Sequence, residues 1–170
     1  PFGFAHTGEA FNLRMEDVAT SAAIALKADK LIFVTEVRGI LQSIVADPAR
    51  AVELGAHQHD PDEEVDQELA LADAKRLLAA LPNPSQPTDT AFYLQHGVNA
   101  AEGGVERVHI IPYRVDGALL MEVFTHDGVG TMIVDEKLES LREATPDDVG
   151  GILQLIEPFE QDGTLVKRSR

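Results

Sequence analysis

Apolar and polar positions along this chain fall into short blocks that alternate between strand and helix spacing. Residues 30–34, Lys-Leu-Ile-Phe-Val, are a nearly continuous apolar run of the kind buried on both faces of a parallel sheet. Residues 16–28 before it read as a helix, with Val18, Ala22 and Ala25 on one face and Ile24 and Leu26 broadening it. Helix, strand and a turn over 35–39 are the grammar of an α/β fold. Residues 68–81 return to helical spacing at Leu71, Ala74, Leu77, Leu78 and Leu81, and Pro82, Pro84 and Pro87 stop that helix. Thr88 or Asp89 caps another helix over 90–102, which ends at Gly103-Gly104. Residues 1–14 read as a loop with a short strand at 10–13.

The stretch 109–134 carries the densest pattern. His109, Ile110 and Ile111 form a brief strand ended by Pro112, and Asp116 can cap a helix with Leu119, Leu120, Val123 and Phe124 at helical spacing. Gly128 and Gly130 supply flexible backbone where the chain turns into the strand 132–134. Within this tight frame lie polar groups that the frame does not need: His109, Glu122, His126, Asp127 and Thr131. A pocket for a small charged molecule is the functional reading. The bland alternatives are a hydrogen-bonded core histidine, a solvated glutamate and a simple helix stop.

After Val134 the character changes. A polar link over 135–139 precedes a possible strand over 138–142. Thr145-Pro146-Asp147-Asp148 is then a strong helix start, with a capping hydroxyl, a first-turn proline and acids against the dipole. Ile152, Leu155, Ile156 and Phe159 mark the apolar face of that helix. A second domain therefore begins near residue 138. Between 43 and 67 the pattern weakens, and His57, His59 and Asp60 fall in a polar run. Such trios collect in exposed loops by chance, so a solvated surface is preferred to a metal site.

Composition narrows the function classes. The 14 basic residues face 29 acidic ones, a formal net charge of −15, which argues against nucleic-acid or anionic-membrane partners. Cysteine is absent, so disulfides and thiolate metal sites are excluded, in keeping with a cytoplasmic protein. No apolar run approaches the about 20 residues of a membrane span. A chain that opens on Pro-Phe-Gly-Phe and closes on Lys-Arg-Ser-Arg looks cut at both ends.

Several motifs carry a resemblance. Gly8-Glu9-Ala10-Phe11-Asn12-Leu13, Ala28-Asp29-Lys30-Leu31-Ile32 and Gly39-Ile40 resemble the carboxyl-terminal lobe of the amino-acid kinase fold. The run from His109 through Asp116-Gly117, Glu122 and Asp127-Gly128-Val129-Gly130-Thr131 resembles its arginine-sensitive members. Arg142-Glu143-Ala144-Thr145, Asp148-Val149-Gly150-Gly151-Ile152 and the tail 165–170 are similar to the bacterial N-acetylglutamate synthase family, in which a kinase-like domain is fused to a GNAT acetyltransferase domain. The resemblance covers 8–45 and 88–170 and leaves 46–87 uncovered.

It implies an α/β kinase-like lobe with a mainly parallel sheet over 1–134, a linker over 135–139 and the start of a GNAT domain over 140–170. It places L-arginine, an allosteric ligand, against His109, Glu122, Gly128, Gly130 and Thr131. A carboxylate can take the guanidinium fork, and loop backbone groups the amino-acid end. It implies a homo-oligomeric parent enzyme that transfers acetyl from acetyl-CoA to L-glutamate, with both substrates held in a missing domain. No catalytic residue, cofactor or metal is expected within these 170 residues.

Departures weaken the kinase side. The phosphate-neutralising lysine of these kinases has no counterpart in Pro87-Thr88-Asp89-Thr90-Ala91-Phe92, and no lysine lies between Arg76 and Arg107. Where kinases carry Asp, this chain has Glu16. Asn12 and Glu16 are therefore vestigial kinase-site positions, and Thr35 and Glu36 keep inherited strand-end geometry. An acetylglutamate kinase-type lobe is the enzyme-class rival, and a stand-alone arginine-binding module is the other.

Overall fold

The computed structural model describes residues 1–51, 63–82, 88–125, 128–135 and 145–161. The chain divides into two compact units, Pro1–Leu138 and Glu139–Arg170. In the first, β1 (Phe2–Phe4) and β2 (Ala10–Asn12) pair antiparallel as a small hairpin. Then come α1 (Met15–Leu26), β3 (Lys30–Thr35), α2 (Gln42–Ala46), β4 (Glu68–Ala70), α3 (Leu71–Ala80), α4 (Asp89–Glu102), β5 (Arg107–Pro112), α5 (Ala118–Phe124) and β6 (Thr131–Val134).

Strands β3 to β6 form one sheet in the order β3-β5-β6-β4. β3 lies parallel to β5 and β4 parallel to β6, whereas the central pair β5–β6 is antiparallel. The fold is α/β with a mixed sheet. The connection from β5 to β6 runs through α5, a helix of seven residues.

The main core lies between one sheet face and the helices α1, α3 and α4, with Phe33, Val108, Ile110 and Ile133 meeting Leu77, Leu94 and Val98. α4 starts as expected, with the Thr88 hydroxyl accepting from the Ala91 N–H. α3 begins later than its pattern suggests: residues 68–70 are strand β4, because Leu69 pairs beside Ile133 and both are buried. α1 turns a different face inward. Val18, Ala22 and Ala25 are exposed, while Ala23 is buried and Ala19 and Ile24 pack on the core. In so alanine-rich a helix the faces differ little in transfer energy, and contacts with α4 decide. Thr20 is buried with its hydroxyl 3.5 Å from His96 Nδ1, and a Cβ on Gly103 would overlap Ile24. Val34 is 57% exposed, so β3 is covered on one face only at that point, unlike the doubly buried strand its composition suggests.

The second unit holds a 3-10 turn (Pro146–Asp148) leading into α6 (Val149–Gln161). Its start is the expected capping box: the Thr145 N–H and hydroxyl both donate to Asp148 Oδ2, at 2.7 and 2.9 Å. Ile152, Leu155 and Phe159 on α6 are exposed. The expected strand over 138–142, the prolines 84 and 87, the trio His57, His59 and Asp60, and His126 with Asp127 lie outside the described residues.

Candidate functional site

The site is built on β5, which lies between β3 and β6. Side chains alternate across a strand. Val108 and Ile110 therefore enter the main core, and His109 and Ile111 point to the opposite face. There His109 sits between Ile32 on β3 and Met132 on β6 in the ladder. α5 covers this second face, and it does so with Ala118 and Glu122, one helical turn apart on one side.

This inverts the amphipathic reading of α5. Leu119, Leu120, Val123 and Phe124 are exposed, Leu120 at 64% and Phe124 at 79%, whereas the Glu122 side chain is only 5% exposed. Nor does Asp116 cap the helix; Gly117 does, at φ +73°, with no side-chain hydrogen bond. The face that turns inward is the one whose polar group finds partners. A buried carboxylate demands donors, and with Glu122 turned outward the donors that now meet it would lose their acceptor.

Those donors are three. His109 Nδ1 lies 2.7 Å from Glu122 Oε1, and the N–H groups of Val129 and Gly130 donate to Oε2 at 2.8 and 3.2 Å. Burial alone would raise the Glu122 carboxyl, but the His109 ring and the two loop N–H groups outweigh it, and the group titrates below its ordinary value. An ionised Glu122 is acceptor-only, so His109 Nδ1 carries the proton. His109 Nε2 is buried and finds no hydrogen-bond partner among the described residues.

Glycine is required where the loop closes over this carboxylate. Gly128 has φ +59°, and a Cβ there would stand 2.5 Å from Glu122 Oε2. A Cβ on Gly130 would overlap the Ile110 carbonyl oxygen and approach Ile111 Cγ2 to 2.9 Å. Thr131 is fully buried, and its hydroxyl accepts from the Ile40 N–H at 2.7 Å, which ties the start of β6 to the turn after β3.

His109, Glu122, Gly128, Gly130 and Thr131 thus come together in space. Their geometry differs from the expected cradle in one respect. The loop N–H groups sit directly on the Glu122 carboxylate, not an arginine length away from it. Val129 joins the cluster through its backbone alone, a role with no residue-type signature in a sequence. Asn12 lies on the exposed hairpin and Glu16 on the first turn of α1, both apart from this cluster. Near Glu16 the Tyr93 hydroxyl is raised by burial and then by the carboxylates of Glu16, Asp89 and Glu36.

No protein-family model matches the chain. An amino-acid acetyltransferase of Ralstonia nicotianae is 52% identical over 170 residues, covering all of this chain and 33% of the relative. One from Aeromonas salmonicida is 42% identical and is covered to 35%. Over its full length, this chain is homologous to one third of an amino-acid acetyltransferase. The match includes residues 46–87, which the motifs alone leave uncovered.

The same region is similar to solved N-acetylglutamate synthase from Neisseria gonorrhoeae. The form complexed with coenzyme A and L-arginine is 33% identical, with a TM-score of 0.66, all of this chain and 34% of that chain covered. The form with coenzyme A and N-acetyl-glutamate is 34% identical, with a TM-score of 0.60 and coverage of 100% and 35%. No helix among the described residues is long and apolar enough to cross a membrane.

Proposed function

We propose that this chain is the arginine-sensing part of an N-acetylglutamate synthase. In this reading residues 1–134 are the carboxyl-terminal part of an amino-acid kinase-like domain, 135–139 a linker and 140–170 the start of a GNAT domain. The whole protein is a cytoplasmic homo-oligomer that moves the acetyl group of acetyl-CoA onto the amine of L-glutamate, releasing the CoA thiol. L-Arginine binds the kinase-like part and inhibits it. The observation that carries the reading is the buried, ionised Glu122 under the 128–130 loop, in a chain homologous throughout to a synthase solved with L-arginine. A desolvated carboxylate is the group a guanidinium seeks, because the fork matches both oxygens.

Citrulline tests this without altering the protein, since it replaces the guanidinium by a neutral ureido group of nearly the same shape. A charge-assisted pair is worth about 1.5–3 kcal/mol, and each 1.4 kcal/mol is about tenfold. Calorimetry on the full-length protein is expected to show L-arginine binding about ten- to a hundredfold tighter than L-citrulline. Equal affinities, or no binding of either, would sink the reading.

The kinase rival makes the opposite forecast for ATP. Phosphoryl transfer needs cations placed against the phosphates, and the charges that raise Tyr93 at the vestigial site are the acids Glu16, Asp89 and Glu36. Incubation of the full-length protein with ATP, N-acetyl-L-glutamate and hydroxylamine is expected to trap no hydroxamate. ATP-dependent hydroxamate formation would restore the kinase reading.

A further inference from the structure

The lone pairs of Glu122 are almost fully used. A carboxylate oxygen offers two. Oε2 accepts from both Val129 N–H and Gly130 N–H, and Oε1 accepts from His109. A bidentate guanidinium needs one free lone pair on each oxygen. Oε1 has one left and Oε2 has none. The loop also leaves no room for a further donor: Gly128 passes so close that even a Cβ would stand 2.5 Å from Oε2.

We propose that residues 128–130 are a latch held shut by Glu122, and that a guanidinium ligand opens it by taking the carboxylate oxygen now occupied by the loop amides. The proposal rests on the arginine-sensing reading and adds the conformational step that binding must drive. Gly130 N–H holds the longer of the two bonds, 3.2 Å against 2.8 Å, and is the first to yield. The movement stops at Thr131, whose hydroxyl is fastened to Ile40 N–H and whose strand is paired with β5. His109 keeps its bond to Oε1 and acts as a positioning residue, holding the carboxylate in plane while its other oxygen changes partner. Binding therefore exchanges a contact within the protein for one to ligand and hands the loop amides to water. A signal leaves the site as a change in the path of residues 128–130, just before β6.

Hydrogen exchange followed by mass spectrometry on the wild-type full-length protein tests this, using overlapping peptides that isolate Val129 and Gly130. With saturating L-arginine these two amides are expected to exchange about tenfold faster, the loss of roughly one hydrogen bond. Amides of the β5–β6 ladder, such as that of Ile133, stay unchanged, and L-citrulline has no effect. Unchanged or slower exchange at Val129 and Gly130, with calorimetry showing arginine bound, overturns the latch and leaves the arginine site standing. Absence of arginine binding overturns both.

Discussion

Replacing Glu122 by alanine is expected to lower the unfolding free energy by about 3 kcal/mol or more, the scale of three buried donors left without partners at about 1 kcal/mol or more each. The substitution strands three donors at once: the His109 Nδ1 proton and the N–H groups of Val129 and Gly130. It also removes the only polar group by which α5 holds His109 on β5. Denaturant unfolding of wild type and Glu122→Ala, compared through their midpoints, measures the loss. A midpoint within error of wild type would mean that this carboxylate is not paired in solution.

Acid gives a second reading of the same group. The Glu122 carboxyl is depressed in the folded chain below its ordinary 4.5. The unfolded chain therefore binds the proton more readily, and stability from this group is complete above the ordinary value. It is lost as pH falls from there through the lower folded value. Glu122→Ala is expected to lose that part of the acid-side slope and to keep the rest. An unchanged slope would show that other carboxylates account for it.

Gly130→Ala is the second large effect. Its Cβ meets a backbone oxygen of the central strand, at Ile110, and a backbone carbonyl in the middle of a sheet does not move aside. Overpacking of this kind costs about 1–3 kcal/mol, and displacement of the loop removes both amides from Glu122 as well. The informative control is Gly97→Ala in α4. There the Cβ would meet Ile133 Cδ1 at 2.6 Å, the far end of a flexible side chain, and the helix gains from alanine. Thermal melts of the two variants side by side are expected to show a clear drop for Gly130→Ala and little change for Gly97→Ala. If Gly130→Ala melts with wild type, the loop does not lie against β5 as described.

The elements whose own residues specify them were legible in the chain. The capped start at Thr88, the capping box at Thr145 and Asp148, and the apolar strands 30–34 and 109–111 rest on local chemistry, and the structure places them as expected. The cluster of His109, Glu122 and the glycine loop was legible too, because polar groups stood where an apolar frame had no use for them. Which face of a helix turns inward was not. For α1 the alanine-rich faces are nearly equal, so Thr20 and Ile24 were selected by α4. For α5 the apolar spacing pointed to the wrong side, because burial of a carboxylate is tolerated only where donors offset its desolvation, and the three that do so here lie on strand β5 and a later loop.

By itself, then, the sequence determined the kinds of element, their caps and the set of residues that bear charge in an apolar frame, all of which depend on neighbours within a few positions. Only the tertiary structure decided that β5 and β6 run antiparallel, that Glu122 faces the sheet and that its oxygens are filled by amides seven and eight residues onward. Those facts depend on pairings between residues far apart in the chain and on backbone N–H groups, and every residue type except proline carries the same N–H.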